Sequence, residues 1–577
     1  MTALPRFDRQ FFQGTRELSR IGEGEIGGKA SGLLKAAQIL QQVAPEHSHG
    51  GLRLRIPKLA VIATDFFDEF LALNNLRSFL SSEHSDQRIA HAFQKGSLPV
   101  GLLGDLRAIA QEAHSPLAVR SSSLLEDRIF RPFAGVYATK MTPNNQPAAD
   151  QRFQKLTEAV KFVWASTFFC EARSYRRSCG LSEEEEKMAV IIQEVVGARH
   201  GSRYYPLMSG VARSFNFYPM GKATPAEGVV NLALGLGKTI VDGGLSWSYS
   251  PEYPLAPPPW GSVSDMLKNS QTRFWAVNMG ELNHYDPVKE DEFLIECDLA
   301  EAEYDNTLKY IASTYDSGSD RIVPGTGRAG PRLLNFAPVL DMREPPLNDL
   351  LREVVSGCEK DFGTEVEIEF AVSLDDNSPE TFVFSFLQVR PMVVSALQVD
   401  VSPDACPPDK RLLYSERVLG NGHYQNISDI VYVRPEAFNA GLTPQIALQI
   451  ESINTRLMEQ GRNCLLIGFG RWGSSDPWLG IPVVWSQISS ARVIVEAQIP
   501  GMSPDLSQGS HFFHNLTSFQ VSYFSVPQNG EAGLNWDLIA GQVASFETDL
   551  VRHVALPRPL EVRVDGRSGR GVIILNG

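Results

Sequence analysis

Cysteine is scarce. There are six in 577 residues, at positions 170, 179, 297, 358, 406 and 464, and none form a C-x-x-C pair. That spacing signals neither a disulfide framework nor a zinc site, and points to reduced thiols. Long apolar runs are missing as well. None approaches the ~18 residues that a membrane span needs. The N-terminus, MTALPRFDRQFF, lacks the basic-then-apolar pattern of a signal peptide. A cytoplasmic chain with no membrane partner is expected. Positive charge is in deficit, with 53 Lys and Arg against 67 Asp and Glu, a net charge of −14. General nucleic-acid or anionic-membrane binding needs a basic face, so neither is expected, although a local basic pocket is allowed. Internal repeats and long low-complexity tracts are also absent.

What is present is the material of several globular domains. The chain is 43% hydrophobic and 21% charged, and single cores stop growing at roughly 250–300 residues. Strand and helix patterns alternate through the first two thirds, which predicts α/β and α+β architecture. GEIGGKASGLLKAAQIL reads as a Gly-rich turn feeding a helix. Residues 153–176 read as one long helical stretch. MAVIIQEVV, LMSGVARSFNF and GVVNLALGLG read as strands. The Pro- and Asp-rich VDVSPDACPPDKR (399–411) marks a domain boundary. Short strands and helices alternate after it.

Three stretches carry chemistry. In GGKASGL (27–33), glycines let backbone N–H groups approach an anion, and Lys29 adds charge at a helix start. An ordinary helix start with a surface lysine is the plain alternative. PLAVRSSSLLED opens as a buried strand that breaks at Arg120. The guanidinium suits phosphate oxygens, and Ser121 to Ser123 offer hydroxyl donors. The alternative is a structural turn in which Arg120 pairs with Glu126 or Asp127. In EVEIEF, Glu367 and Glu369 alternate with Val366, Ile368 and Phe370, so both carboxylates share one strand face. Two carboxylates together suit a hard cation such as Mg²⁺ that also bridges phosphates. Gln388 and Arg390 repeat the spacing in FLQVRP, and the turn DDNSPE would make the two strands antiparallel neighbours. A solvated sheet face with cross-strand ion pairs is the alternative. Two G-x-G-x-x-G matches, GTGRAG (325–330) and GFGRWG (468–473), lack a following helix and read as turns.

Taken together, these stretches resemble the N-terminal nucleotide-binding domain of the pyruvate phosphate dikinase and phosphoenolpyruvate synthase family. IGGKASGL, AVRSSSLLED…FAGVY, VIIQEVV, SGVARSF, GLGKTIVDGG and FGTEVEIEFAV…FLQVRP are similar to its motifs in order and spacing. The resemblance covers roughly residues 15–395. It implies an ATP-grasp-like, two-lobed domain there, a linker at 396–411 and a smaller α/β domain at 412–577. That last domain is of open role, a divergent swivelling phosphohistidine-type domain being one option. The resemblance also implies ATP and Mg²⁺ as cofactors. It carries over Lys29 and Arg120 as phosphate ligands, Glu367 and Glu369 as metal ligands, and Gln388 and Arg390 as groups around the transferring phosphates. Gln193, Glu194 and Val195 would line the adenine.

The sequence departs from the family in four places. Glu367 stands where the first metal-site acid is usually Asp, a mild change. Lys238 stands where the GLGE loop has its acid. The stretch after 410 has no room for the phosphoenolpyruvate/pyruvate barrel. No good copy of the phospho-accepting histidine motif exists, and SQGSHFFHN, with His511 and His514, is the nearest string. A histidine there would follow Gly509 and Ser510 and precede an apolar pair able to open a helix. The expected activity is a dikinase-type phosphotransfer from ATP, through a phosphorylated residue such as His511, to an unidentified acceptor. A non-catalytic ATP sensor or partner subunit, and direct phosphorylation of a small molecule by the C-terminal domain, are the alternatives. The sequence leaves the oligomeric state open.

Overall fold

Apolar runs with β-branched residues at Leu59–Ile62, Leu117–Ser123 and Met188–Glu194 form the centre of a five-stranded sheet. Such residues suit a strand covered on both faces. The sheet order is Leu18–Ile21, Leu59–Ile62, Met188–Glu194, Leu117–Ser123, Thr139–Thr142, and only the first pair is parallel. The structure is a computed structural model. It describes residues 4–576 except 81–83, 127–135, 179–185, 218, 220, 243, 257–262, 269, 282–283, 376–377, 393, 395–400, 402–406, 408, 475–477, 499–515, 517–520 and 528–532.

The chain divides into two compact units. The first holds Met1–Ser214 and Glu227–Pro391; the second holds Phe215–Ala226 and Met392–Gly577. The short excursion 215–226, which nothing in the sequence flagged, therefore belongs with the second unit.

In the first unit a seven-stranded sheet, whose strands interleave in sequence with those of the five-stranded one, shares its core. Its order is Trp247–Tyr249, Val229–Ala233, Met208–Arg213, Val366–Asp375, Ser378–Pro391, Leu52–Arg55, Ser48–His49. The predicted antiparallel pair is present. Glu367 faces Arg390 and Glu369 faces Gln388 across the ladder. The helix Gly27–Val43 buries Ala30, Leu33, Ala36, Ile39 and Leu40, an i, i+3 stripe that packs into the same core as Val61, Ile191, Ile368 and Phe384. Its start needs glycine. Gly27 has φ +75°, and a Cβ there would meet the Ser122 carbonyl oxygen at 1.7 Å.

Two expectations change. The strand that opens at Leu117 does not end at Arg120 but runs on to Ser123, because Met188–Glu194 pairs with it over all seven residues. Arg120 is thus mid-strand. The single helix expected at 153–176 is two, Ala149–Ser166 and Cys170–Ser178. Between them Phe168 turns inward against Phe67 and Phe93, and that packing outweighs helix continuity.

The second unit is built on one mixed ten-stranded sheet rather than on short alternating elements. Its longest strands, Asn421–Val433 and Val551–Asp565, pair antiparallel. Cys464–Phe469, Ala491–Ala497 and Ser522–Val526 continue the sheet in parallel, and the helix Thr443–Glu459 makes the first crossover. Between the two longest strands, buried Asp429 accepts from His553 Nε2 at 2.7 Å, and from an Arg462 Nη at 2.9 Å. GFGRWG, expected to be a turn, is mostly strand: it holds the end of Cys464–Phe469, a bend at Gly470 and the two-residue strand Arg471–Trp472. GTGRAG joins two short strands, and neither stretch opens a helix.

Candidate active site

Arg120 is where the five-stranded and seven-stranded sheets of the first unit meet. From its place in the Leu117–Ser123 strand it donates to Gln388 Oε1 at 2.7 Å, to the Leu387 carbonyl at 3.1 Å and to Gln193 Oε1 at 3.4 Å. It also reaches Glu369 Oε2 at 3.4 Å. The Leu387 carbonyl is available because the ladder slips there: Glu369 pairs with Gln388 but Phe370 pairs with Phe386. This one-residue bulge sits beside the charged face.

Lys29 lies on the first turn of the Gly27–Val43 helix. Its Nζ contacts Glu126 Oε1 at 2.8 Å and Ser121 Oγ at 2.9 Å. So Glu126 pairs with Lys29, not with Arg120; Asp127 lies outside the described residues. The three serines expected to offer hydroxyls outward are all buried and engaged inward. Ser121 bonds Glu126, Ser122 donates to the Ile26 carbonyl and accepts from Ala30 N, and Ser123 donates to Glu186. They lock the helix start to the strand. Burial pushes the Glu186 carboxyl up, opposed by hydrogen bonds from Ser123 and Tyr137 and by the charge of Arg176.

The two carboxylates of EVEIEF have different surroundings. Glu367 is buried between two guanidiniums: Arg213 Nε meets Oε2 at 2.6 Å, and Arg390 bonds Oε1. Glu369 has the looser contact with Arg120 and is the more open of the two, its side chain 16% exposed against 3%. Gln388 Nε2 and Gln193 Nε2 are buried beside Arg120 without a hydrogen-bond partner. Buried amide donors of that kind fit polar ligand atoms.

Gln193 and Val195 flank the end of the Met188–Glu194 strand. Val195 joins Ala118, Leu236, Val277 and Met279 in a small apolar cluster bordered by Met141 and Trp275. Glu194 points the other way along the strand, and burial raises its carboxyl pKa. Lys238 is tied to Asp242 at 2.6 Å and lies over the Trp275 ring. His511 and His514 lie outside the described residues.

Arg213, Leu236, Val277 and Met279 were not singled out in the sequence. Arg213 had a signal, being a cation inside the otherwise apolar and small run MSGVAR. The apolar cluster had none, since its members come from strands far apart in the chain. Among the described residues no group of three or more His, Cys, Asp or Glu side chains could hold a metal by itself. Glu369 fits a Mg²⁺ that takes most of its other ligands from phosphates and water.

The chain matches the family described as pyruvate phosphate dikinase, AMP/ATP-binding domain, over residues 23–405. It belongs to that family. The match spans every residue placed around Arg120. Curated relatives include the phosphoenolpyruvate synthase of Aeropyrum pernix, 26% identical over 53% of this chain and 32% of that protein. The uncharacterized phosphotransferase YvkC of Bacillus subtilis is 26% identical over 33% of this chain and 21% of its own length. The rifampicin phosphotransferase of Streptomyces sviceus is 32% identical over 27% of this chain and 16% of its own. The chain thus spans about a third or less of these relatives. Among the described residues no helix is long and apolar enough to cross a membrane.

Proposed function

We propose that the first unit is an ATP-grasp-like site that binds ATP with Mg²⁺ and transfers its β-phosphoryl group to a residue of the protein with AMP as the leaving group, while water takes the γ-phosphoryl group and releases it as phosphate. The observation that carries this reading is the convergence on Arg120 of Gln193, Glu369 and Gln388, with two buried amide donors unpartnered, inside a family of AMP/ATP-binding domains. Arg120, Arg390 and Lys29 would neutralise the phosphates, and phosphoryl transfer depends mostly on such positioning and charge. Glu369, with Glu367 behind it, would face the metal, which supplies charge neutralisation between phosphates when bound. Gln193 and Val195 would line the adenine, with Leu236, Val277 and Met279 as its apolar bed, while Glu194 lies on the opposite face of the strand. His511 is the proposed phosphoryl carrier, and the final acceptor is unidentified. An acid-labile, base-stable label from β-labelled ATP that disappears in His511→Ala would support that role; a label that survives would remove it.

A second reading is a nucleotide sensor without turnover. It is favoured by Lys238, a cation paired with Asp242 in the loop that resembles the family's GLGE motif, at the position of that motif's acid. Thin-layer analysis of products from labelled ATP separates the readings. AMP plus phosphate supports dikinase chemistry, ADP indicates a simple kinase or ATPase, and no product with retained binding indicates the sensor.

A further inference from the structure

Glu367 is shared. One carboxylate oxygen is held by Arg390, from the Ser378–Pro391 strand, and the other by Arg213, from the opposite neighbour Met208–Arg213. Arg213, Glu367 and Arg390 sit directly opposite one another across three adjacent strands. Arg213 is 7% exposed, donates through Nη1 to Asn231 at 3.3 Å, and has an Nη2 that is buried without a hydrogen-bond partner. A buried carboxylate that lost a guanidinium would be left poorly compensated.

We propose that Arg213 is a positioning residue for the phosphate end of the site, which frees Arg390 to engage phosphate by keeping Glu367 neutralised. The inference rests on the ATP-site reading above. Its logic is electrostatic. With Arg213 in place, Arg390 can turn an edge of its guanidinium to a phosphate oxygen while Glu367 keeps a cation at 2.6 Å. Without Arg213, Glu367 draws Arg390 more strongly, and the phosphate competes for the same group. Planar Arg is required, because the contact to Glu367 runs through Nε while Nη1 reaches Asn231. Lysine supplies a charge but cannot make both contacts.

The same relation gives Glu367 a part distinct from that of Glu369. Glu367 holds two arginines in register, and Glu369 is left as the carboxylate with an open side. Removing the Glu367 charge together with Arg213 releases Arg390 again, so the two substitutions compensate.

Calorimetric titration of the full chain with ATP and with AMP tests this. AMP lacks the β- and γ-phosphates, so it reports the rest of the site. Arg213→Met is expected to weaken ATP binding by about tenfold or more with AMP affinity unchanged. Arg213→Lys is expected to fall between it and the parent, and Arg213→Met with Glu367→Gln to recover much of the ATP affinity. Equal ATP affinity in parent and Arg213→Met overturns the inference, as does an equal loss for ATP and AMP in a folded variant. If Arg213→Met does not fold, Arg213→Lys carries the comparison, and parent-like ATP binding there overturns it. A parent chain that binds neither nucleotide removes the ATP-site reading, and this inference with it.

Discussion

Lys29 Nζ stands 2.8 Å from Glu126 Oε1, a contact that spans 97 residues of sequence and buries the carboxylate almost completely. Glu126 also accepts from Ser123 N at 2.8 Å and Ser121 Oγ at 3.0 Å. Removing one partner of such a pair strands the other. Glu126→Ala should therefore cost about 3 kcal/mol in urea unfolding. Lys29→Met combined with Glu126→Gln should cost less than the sum of the single changes, because the two groups are coupled. Strictly additive losses would show that the pair is independent.

Glu369→Gln should lower AMP formation by about two orders of magnitude or more, because the amide keeps shape and one acceptor but not the charge that faces a metal. ATP binding should be largely retained, since Arg120, Arg390 and Lys29 are untouched. Unchanged product formation in this variant would take Glu369 out of the mechanism.

Much of this site is legible in the sequence because its strands obey a period of two. Alternation in EVEIEF and FLQVRP is enough to put Glu367 with Glu369, and Gln388 with Arg390, on one face, and the turn between them makes the strands neighbours. What is not legible comes from neighbours that are distant in sequence. The order of the seven-stranded sheet, which brings Met208–Arg213 against Val366–Asp375, decides that Arg213 shares Glu367. The bulge that opens the Leu387 carbonyl to Arg120 depends on packing, not on local propensity. The serine row is misleading for a related reason. Hydroxyls beside an arginine look like ligand donors, but full pairing with Met188–Glu194 turns them into the core.

Glu171, at the start of the Cys170–Ser178 helix, gives a pH dependence. Burial, then the nearby charges of Asp86 and Glu290, push its carboxyl up to about 7. A carboxyl raised on folding binds its proton more tightly in the native state. Its contribution is fully present below the unfolded value, near 4.5, and is lost as pH rises to about 7. Glu171→Gln should therefore melt higher than the parent at pH 8, by an amount equivalent to about 1–3 kcal/mol. The difference should shrink at pH 4.5. A gap that does not change with pH would contradict the assignment.

In the second unit Asp429 joins two strands and a loop through His553 and Arg462. Asp429→Ala removes a buried acceptor from two cationic or polar partners and should destabilise this unit by about 2–4 kcal/mol. Hydrogen exchange of the Asn421–Val433 and Val551–Asp565 amides would report it. Exchange in the first unit should be unaffected, because none of the three residues belongs to it.

The account stands or falls on what faces Arg120. Calorimetric titration of the full chain with ATP in the presence of Mg²⁺, for the parent and for Arg120→Ala, measures this most directly. The side chain is only 14% exposed and gathers Gln388, Gln193 and Glu369. Loss of its charged hydrogen bonds to phosphate should weaken ATP binding by about 1.5–3 kcal/mol, or roughly ten- to a hundredfold, while the variant still folds. Parent-like ATP affinity in a folded Arg120→Ala protein would mean that Arg120 only joins the two sheets, and would contradict the account.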